Sequence, residues 1–166
     1  MVAGAPTASL RRMTRWFTRG VRRALPGVVV RVDYVTSLDR TRCERVANRQ
    51  IDAGSDVIFA IAGQCGSGAL AVARTRGVWA IGEDQVGVPV GPHILATTYK
   101  DWERAVSEVL NELGLEVLRP GDVVLGVEDN YAVGLDRVNY LVSRGVWSKV
   151  VDRCSQLRAA AEASDS

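Results

Sequence analysis

The stretch Ser55–Gly87, SDVIFAIAGQCGSGALAVARTRGVWAIGEDQVG, decides the fold. It begins with a compact apolar run, Val57-Ile58-Phe59-Ala60-Ile61-Ala62. A run of that length, rich in β-branched and aromatic residues, predicts a strand buried on both faces. The chain then turns through Gly63-Gln64-Cys65-Gly66-Ser67-Gly68 into a small-residue helix, Ala69 to Arg74, which Gly77 stops. Val78-Trp79-Ala80-Ile81-Gly82 is a second apolar strand, so the stretch is a βαβ unit whose crossover is right-handed. The loops Gly63–Gly68 and Glu83–Gln85 then lie at the carboxyl ends of parallel strands, the edge where open α/β sheets hold ligands.

The flanking sequence has the same alternation. Val2 to Ala5 is too short to judge and is compatible with the worn end of a strand. Leu10, Met13, Phe17, Val21 and Leu25 share one face of a helix over Thr7–Leu25, with Thr7 or Ser9 as its cap and Pro26-Gly27 as its end. Val28 to Val35 reads as a strand, followed by a polar loop, Thr36-Ser37-Leu38-Asp39, and a helix from Arg40 to Ala53. Beyond the irregular Val88–Pro92, Ile94–Tyr99 reads as a strand. Asp101–Leu113 reads as an amphipathic helix with Trp102, Ala105, Val106, Val109 and Leu113 inward. Val123–Val127 is a last strand, Glu128–Gly134 a loop, and Val146–Ala161 a closing helix. Helices and strands in turn, with short joins, predict an α/β fold around a largely parallel sheet.

Composition bounds the function. The chain has 166 residues, enough for one domain with a proper core or one lobe of a larger protein. A net charge of +2 gives no general reason to expect nucleic acid as partner, although Arg11, Arg12, Arg15, Arg19, Arg22 and Arg23 crowd the first helix. That crowding reads as a solvated face rather than a nucleic-acid patch, since the only aromatics among the arginines are Trp16 and Phe17. Cys43, Cys65 and Cys154 are an odd set at wide spacing, which suggests neither a disulfide framework nor a zinc site. No run of about 18 apolar residues is present, and the first residues lack a basic and then apolar leader. Taken as it stands, the chain is expected to be cytoplasmic.

The candidate chemistry is sparse. Gly63–Gly68 offers backbone N–H groups at a helix start, either for an anion or polar ligand or merely as a tight turn, and its glycines fit neither the dinucleotide nor the Walker pattern. Cys65, on a strand-to-helix turn, raises a nucleophile, but the only histidine, His93, reads as a surface loop residue with no partner acid. Asp84 follows the second strand and either accepts hydrogen bonds from a sugar diol or caps a turn. Lys100, at the end of the next strand, either meets a ligand or is solvated.

These pieces, in this order, resemble the carboxyl-terminal half of the basic membrane protein family. Its members are substrate-binding lipoproteins of ABC transporters (the PnrA-like group), several of which bind purine nucleosides. The resemblance runs from Val2 to Arg158. Gly20 through Pro26 looks like the family's helix end, and Asp39 sits where its Ser-Phe-x-Asp loop has the aspartate. Gln50 through Phe59 is similar to I-x-x-G-A-D-V-I-F, Ala62 through Gly68 to A-G-G-T-G-x-G, and Gly77 through Asp84 to G-V-Y-A-I-G-V-D. Thr97 through Lys100 resembles T-S-V-x-K, while Gly126–Asp129 and Val133–Leu135 match the last strand and its G-V-G-L loop. Ser37 replaces the loop phenylalanine, and Gln64-Cys65 replaces Gly-Thr.

The resemblance implies a type I periplasmic-binding-protein fold, with mostly one of its two lobes present. Residues 1–92 would form the second lobe and 93–161 the hinge-crossing strands and closing helices, with 162–166 a disordered tail. It implies that Asp84 holds ribose hydroxyls, that Lys100 lies in the cleft, and that Gly63, Gln64, Cys65 and Gly66 line it. Asp39 and Asp129, on matching loops, complete the set. The implied function is capture of a solute, a purine nucleoside, for an ABC importer, with no catalytic residue, metal or cofactor. The implied partners are a permease and a first lobe missing from this chain, with no nucleic acid. The family is extracytoplasmic and lipid-anchored. Two other readings compete with it: a single-lobe regulatory or interaction module, and a hydrolase built on Cys65.

Overall fold

A computed structural model describes residues 1–83, 91–115, 121, 133–136 and 139–162. Strand and helix alternate as β1 (Val2–Ala3), α1 (Ala8–Ala24), β2 (Asp33–Tyr34), α2 (Arg40–Asp52) and β3 (Val57–Ile61). A 3-10 turn, Gly63–Cys65, leads into α3 (Gly66–Thr75), then β4 (Trp79–Glu83), β5 (Ile94–Lys100), α4 (Trp102–Gly114), β6 (Val133–Asp136) and α5 (Arg144–Glu162). The strand order is β2-β1-β3-β4-β5-β6. β1 runs parallel to both neighbours, with Val2 opposite Asp33 on one side and Ala60 on the other, and β3 runs parallel to β4. This is the expected α/β fold with a mostly parallel sheet. The chain divides into two compact units, Met1–Thr97 and Thr98–Ser166.

In the first unit β3 carries the core. Alternate side chains of a strand point to opposite faces, so Ile58 and Ala60 face one way and Phe59 and Ile61 the other. The first pair packs under α2 and α3, through Cys43, Val46 and Ala47 and through Ala69, Leu70 and Ala73. The second pair packs against α1, where Phe17 stacks on Phe59 with ring centroids 4.8 Å apart. Both faces of β3 are therefore covered, as its unbroken apolar run requires, and a fully buried side chain such as Ile58 contributes ~1.5–3 kcal/mol.

The helices start where their caps dictate. Thr7 Oγ1 accepts from Leu10 N at 3.2 Å, so Thr7 rather than Ser9 caps α1. Asp39 caps α2 and Asp101 caps α4. α2 and α3 cross closely at Gly68, where a Cβ would lie 2.5 Å from the Arg40 carbonyl oxygen.

β1 is held by polar groups as well as by its ladder. Buried Gln50 donates from Nε2 to Met1 O (2.9 Å) and to Asp33 Oδ2 (2.6 Å), and its Oε1 accepts from the Met1 amine at 3.0 Å. That amine also donates to Arg31 O at 2.7 Å. Burial pushes its pKa down from 8.0 to about 6, against a weaker upward pull from Asp33.

Several expectations are corrected. The strand over Val28–Val35 shortens to Asp33–Tyr34, the two residues that pair with Val2 and Ala3 of β1. Val2–Ala3, too short to judge from sequence, is a two-residue strand that lies inside the sheet between β2 and β3. The supposed loop Gly63–Gly68 is a 3-10 turn running straight into α3, so Gly66 and Gly68 are helical. On α4, Trp102, Val106 and Leu113 are exposed rather than inward, since no described residue covers that face. Val133 and Gly134 belong to β6, not to a loop, with Gly134 against the Tyr99 ring, where no Cβ would fit. The strand expected at Val123–Val127 lies outside the described residues.

Candidate functional site

The strand order places a topological switch between β1 and β3. From β1 the chain leaves to α1 on one face of the sheet, and from β3 it leaves to α3 on the other. Two connections that part in opposite directions leave a crevice at the carboxyl ends of those strands, the standard ligand position in open α/β sheets. At those strand ends stand the β1–α1 loop, Gly4–Thr7, and the turn Ala62–Cys65. The two are tied by Gly4 N donating to Ile61 O at 2.9 Å. Sequence reading missed Gly4–Thr7, although Gly-Ala-Pro-Thr between an apolar pair and an amphipathic helix is a strand-to-helix signal.

The turn after β3 supplies backbone donors. Gly63 takes a left-handed φ of 54°, which other residues adopt at a cost, and lets the chain reverse directly into the 3-10 turn. Gly63 and Gln64 are exposed at the rim. No side chain caps the start of α3 and its first turn holds no acid, so no carboxylate of the helix itself offsets its positive end, while the Gly66 N–H bonds back to the Gly63 and Gln64 carbonyls. Ser67 Oγ donates to Gln64 O at 2.8 Å and steadies the turn.

The structure brings five of the expected site residues together in the first unit: Asp39, Gly63, Gln64, Cys65 and Gly66. Their roles divide. Gly63 and Gln64 face solvent, whereas Cys65 and Gly66 are buried. A Cβ on Gly66 would meet Ala60 and Ala62, so Gly66 is a packing position. Asp39 is exposed at the N-terminus of α2, and Thr41 donates to it through Oγ1 (2.8 Å) and N (2.9 Å). Those bonds, the side-chain one foremost, with help from Arg45 and Arg42, hold its pKa below the ordinary carboxylate value. Lys100 ends β5 in the second unit, half-buried, with Nζ 6.0 Å from the centre of the Trp102 ring. Asp84 and Asp129 lie outside the described residues.

Two sequence expectations about reactive groups are overturned. Cys43 and Cys65 are joined in a disulfide, with Cα atoms 5.6 Å apart, because α2 carries Cys43 to the turn after β3. Spacing alone gave no sign of the pair. Cys65 is thus no free nucleophile; its Sγ also sits 3.1 Å from Asp39 O, so the bridge fastens the ligand-edge turn to the start of α2. His93 is buried rather than a surface residue, since its carbonyl accepts from Ala80 N at 2.8 Å and draws it to β4. Burial lowers its pKa. Among the described residues no cluster of potential metal ligands occurs, and no helix is long and apolar enough to cross a membrane.

Solved structures share this fold. An ABC transporter system solute-binding protein from Aeropyrum pernix K1 superposes with a TM-score of 0.74 at 20% identity, over 96% of this chain and 55% of that one. One from Conexibacter woesei superposes with a TM-score of 0.77 at 16% identity, over 96% and 54%. The architecture is therefore that of the periplasmic-binding-protein-like solute-binding proteins. The family model for PnrA-like ABC transporter substrate-binding proteins matches residues 1–154, and the chain belongs to that family. A curated relative, the CD4+ T-cell-stimulating antigen of Listeria innocua, is 27% identical over 90% of this chain and 47% of its own length. The chain thus spans about half the length of the relatives it matches.

Proposed function

We propose that this chain captures a small polar solute, a purine nucleoside, and presents it to the permease of an ABC importer. The family is one of substrate-binding proteins rather than enzymes. The observation that carries the reading is the topological switch between β1 and β3, with Gly63, Gln64 and the loop from Gly4 at the carboxyl ends of those strands. A backbone-lined rim next to a helix start suits ring nitrogens and hydroxyls better than a bulky apolar ligand. In this reading Asp84 accepts from the ribose hydroxyls, and Lys100 and Asp129 are further ligand-binding residues. A further lobe supplies the opposite wall. The protein works outside the cytoplasm on a lipid anchor, and the Cys43–Cys65 bridge supports an oxidising compartment.

Calorimetric titration of a polypeptide carrying both lobes with adenosine, guanosine, free ribose and amino acids tests this. Nucleoside binding should exceed ribose binding, and Asp84→Ala should weaken it at least ~10-fold through the loss of a charge-assisted pair of hydrogen bonds. Equal affinity for the Asp84→Ala variant removes Asp84 from the site, and binding of a different solute class removes the nucleoside.

A further inference from the structure

The charge of this chain is not spread evenly. Its first 50 residues hold eleven arginines against three acidic residues, and no acidic residue precedes Asp33. The whole chain carries only +2, so the remainder is net acidic. α1 concentrates the basic end. At about 100° per residue, Arg12, Arg15, Arg19, Arg22 and Arg23 fall within an arc of roughly 120°, and Trp16 falls inside the same arc. Leu10, Thr14 and Phe17 lie opposite and pack toward the sheet.

All five arginines are exposed, as is Trp16 at 62%. Among the described residues no carboxylate pairs with any of them. Arg19 instead lies over the Trp16 ring, 5.7 Å from its centre. A second basic set, Arg42, Arg45 and Arg49, lines a groove of about 590 Å³ along α2, beside Tyr34 and Ser37 of the edge strand β2 and its loop. It adds to the positive field of the same unit.

We propose that the outer face of α1 docks on an anionic phospholipid bilayer, with the five arginines against the headgroups and Trp16 at the interface. The helix, 17 residues, is about 25 Å long, so its arginines form an extended strip of positive charge that suits a flat anionic surface. Arginine stems keep their charge at headgroup level, and a lone amphipathic ring at that depth is the usual interfacial anchor. Single-stranded nucleic acid would call for a row of stacking aromatics, whereas this face has one exposed ring. The proposal is independent of the solute assignment, since α1 and the crevice residues Gly63 and Gln64 are different surfaces.

The test is sedimentation of the full chain with phosphatidylglycerol-containing vesicles and with pure phosphatidylcholine vesicles, at low and high salt. Binding should need the anionic lipid and fall with salt. Each arginine near the surface is worth about a 5-fold gain in partition, so the triple variant R12Q/R15Q/R19Q should lose on the order of 100-fold. The triple variant R42Q/R45Q/R49Q should lose much less. Tryptophan emission should shift to the blue on the anionic vesicles in the native chain and not in Trp16→Phe. These are exposed positions, and circular dichroism checks that each variant keeps its helices. Equal binding to both vesicle types overturns the proposal, as does an unaffected α1 variant. So does a tighter hold on a single-stranded oligonucleotide than on vesicles of equal phosphate content.

Discussion

Reducing the Cys43–Cys65 bridge should loosen the first unit by an amount the sequence separation fixes. The two residues are 22 apart, and closing a loop of that size in the unfolded chain removes ~11 cal/mol/K, or about 3.4 kcal/mol at 25 °C. Part of this is recovered on reduction. A disulfide sulfur carries no proton, so the 3.1 Å approach of Cys65 Sγ to Asp39 O is only a close contact in the bridged form. The reduced thiol becomes a weak donor to that carbonyl, and both sulfurs stay in an apolar setting they tolerate. A net loss of about 2–3 kcal/mol remains, which moves a urea midpoint down by roughly 1–1.5 M for a slope near 2 kcal/mol/M. Paired urea titrations of oxidised and reduced protein, followed by circular dichroism, measure it. Thiol titration of the unfolded, unreduced chain should find one reactive thiol, Cys154, and all three cysteines after reduction. Three thiols before reduction, or coincident urea curves, would refute the reasoning.

Other outcomes follow from single positions. Gly68→Ala should cost about 2 kcal/mol, because its Cβ meets the Arg40 backbone oxygen at 2.5 Å, whereas Gly20→Ala has open space within 4 Å and should gain ~0.5–1 kcal/mol in helix propensity; thermal unfolding of both variants showing one common sign would contradict the packing argument. In a chain with a free Met1 amine, burial lowers that group's pKa to about 6 from 8.0, so between those values the unfolded state holds the extra proton and stability rises with pH by up to ~3 kcal/mol. Urea unfolding at several pH values, compared with N-acetylated protein, isolates the effect; a difference that does not change with pH would exclude it.

Much of the fold was legible because burial leaves a pattern. The unbroken run Val57–Ile61 announced a strand covered on both faces, and Leu10 and Phe17 announced the side of α1 that packs on the sheet, whereas Met13 and Leu25, expected on the same face, are exposed. What could not be read depends on partners distant in sequence. The strand at Asp33–Tyr34 is picked out by its pairing with Val2 and Ala3, not by the valines on either side of it. The same holds for the site. Its glycine turn was readable locally, but the union of Cys43 with Cys65 and the rim at Gly4–Thr7 arise only when α2 and β1 are laid against β3. The exposed face of α4 shows the converse: Trp102, Val106 and Leu113 have the periodicity of a core helix with no described residue to cover them.

The central placement of β1 has a consequence for how the molecule assembles. Its partners, Asp33 and Ala60, lie one and two helices further along the chain, so no two adjacent strands in this half of the sheet can zip up as a hairpin. Every ladder there waits on a crossover, which makes for slow, topology-limited folding. Until Val2 and Ala3 slot into place, β2 and β3 each offer an unpaired rail of amides and carbonyls. An intermediate lacking only those two residues from its sheet would carry two sticky edges, and could recruit the same short strand from a neighbouring copy.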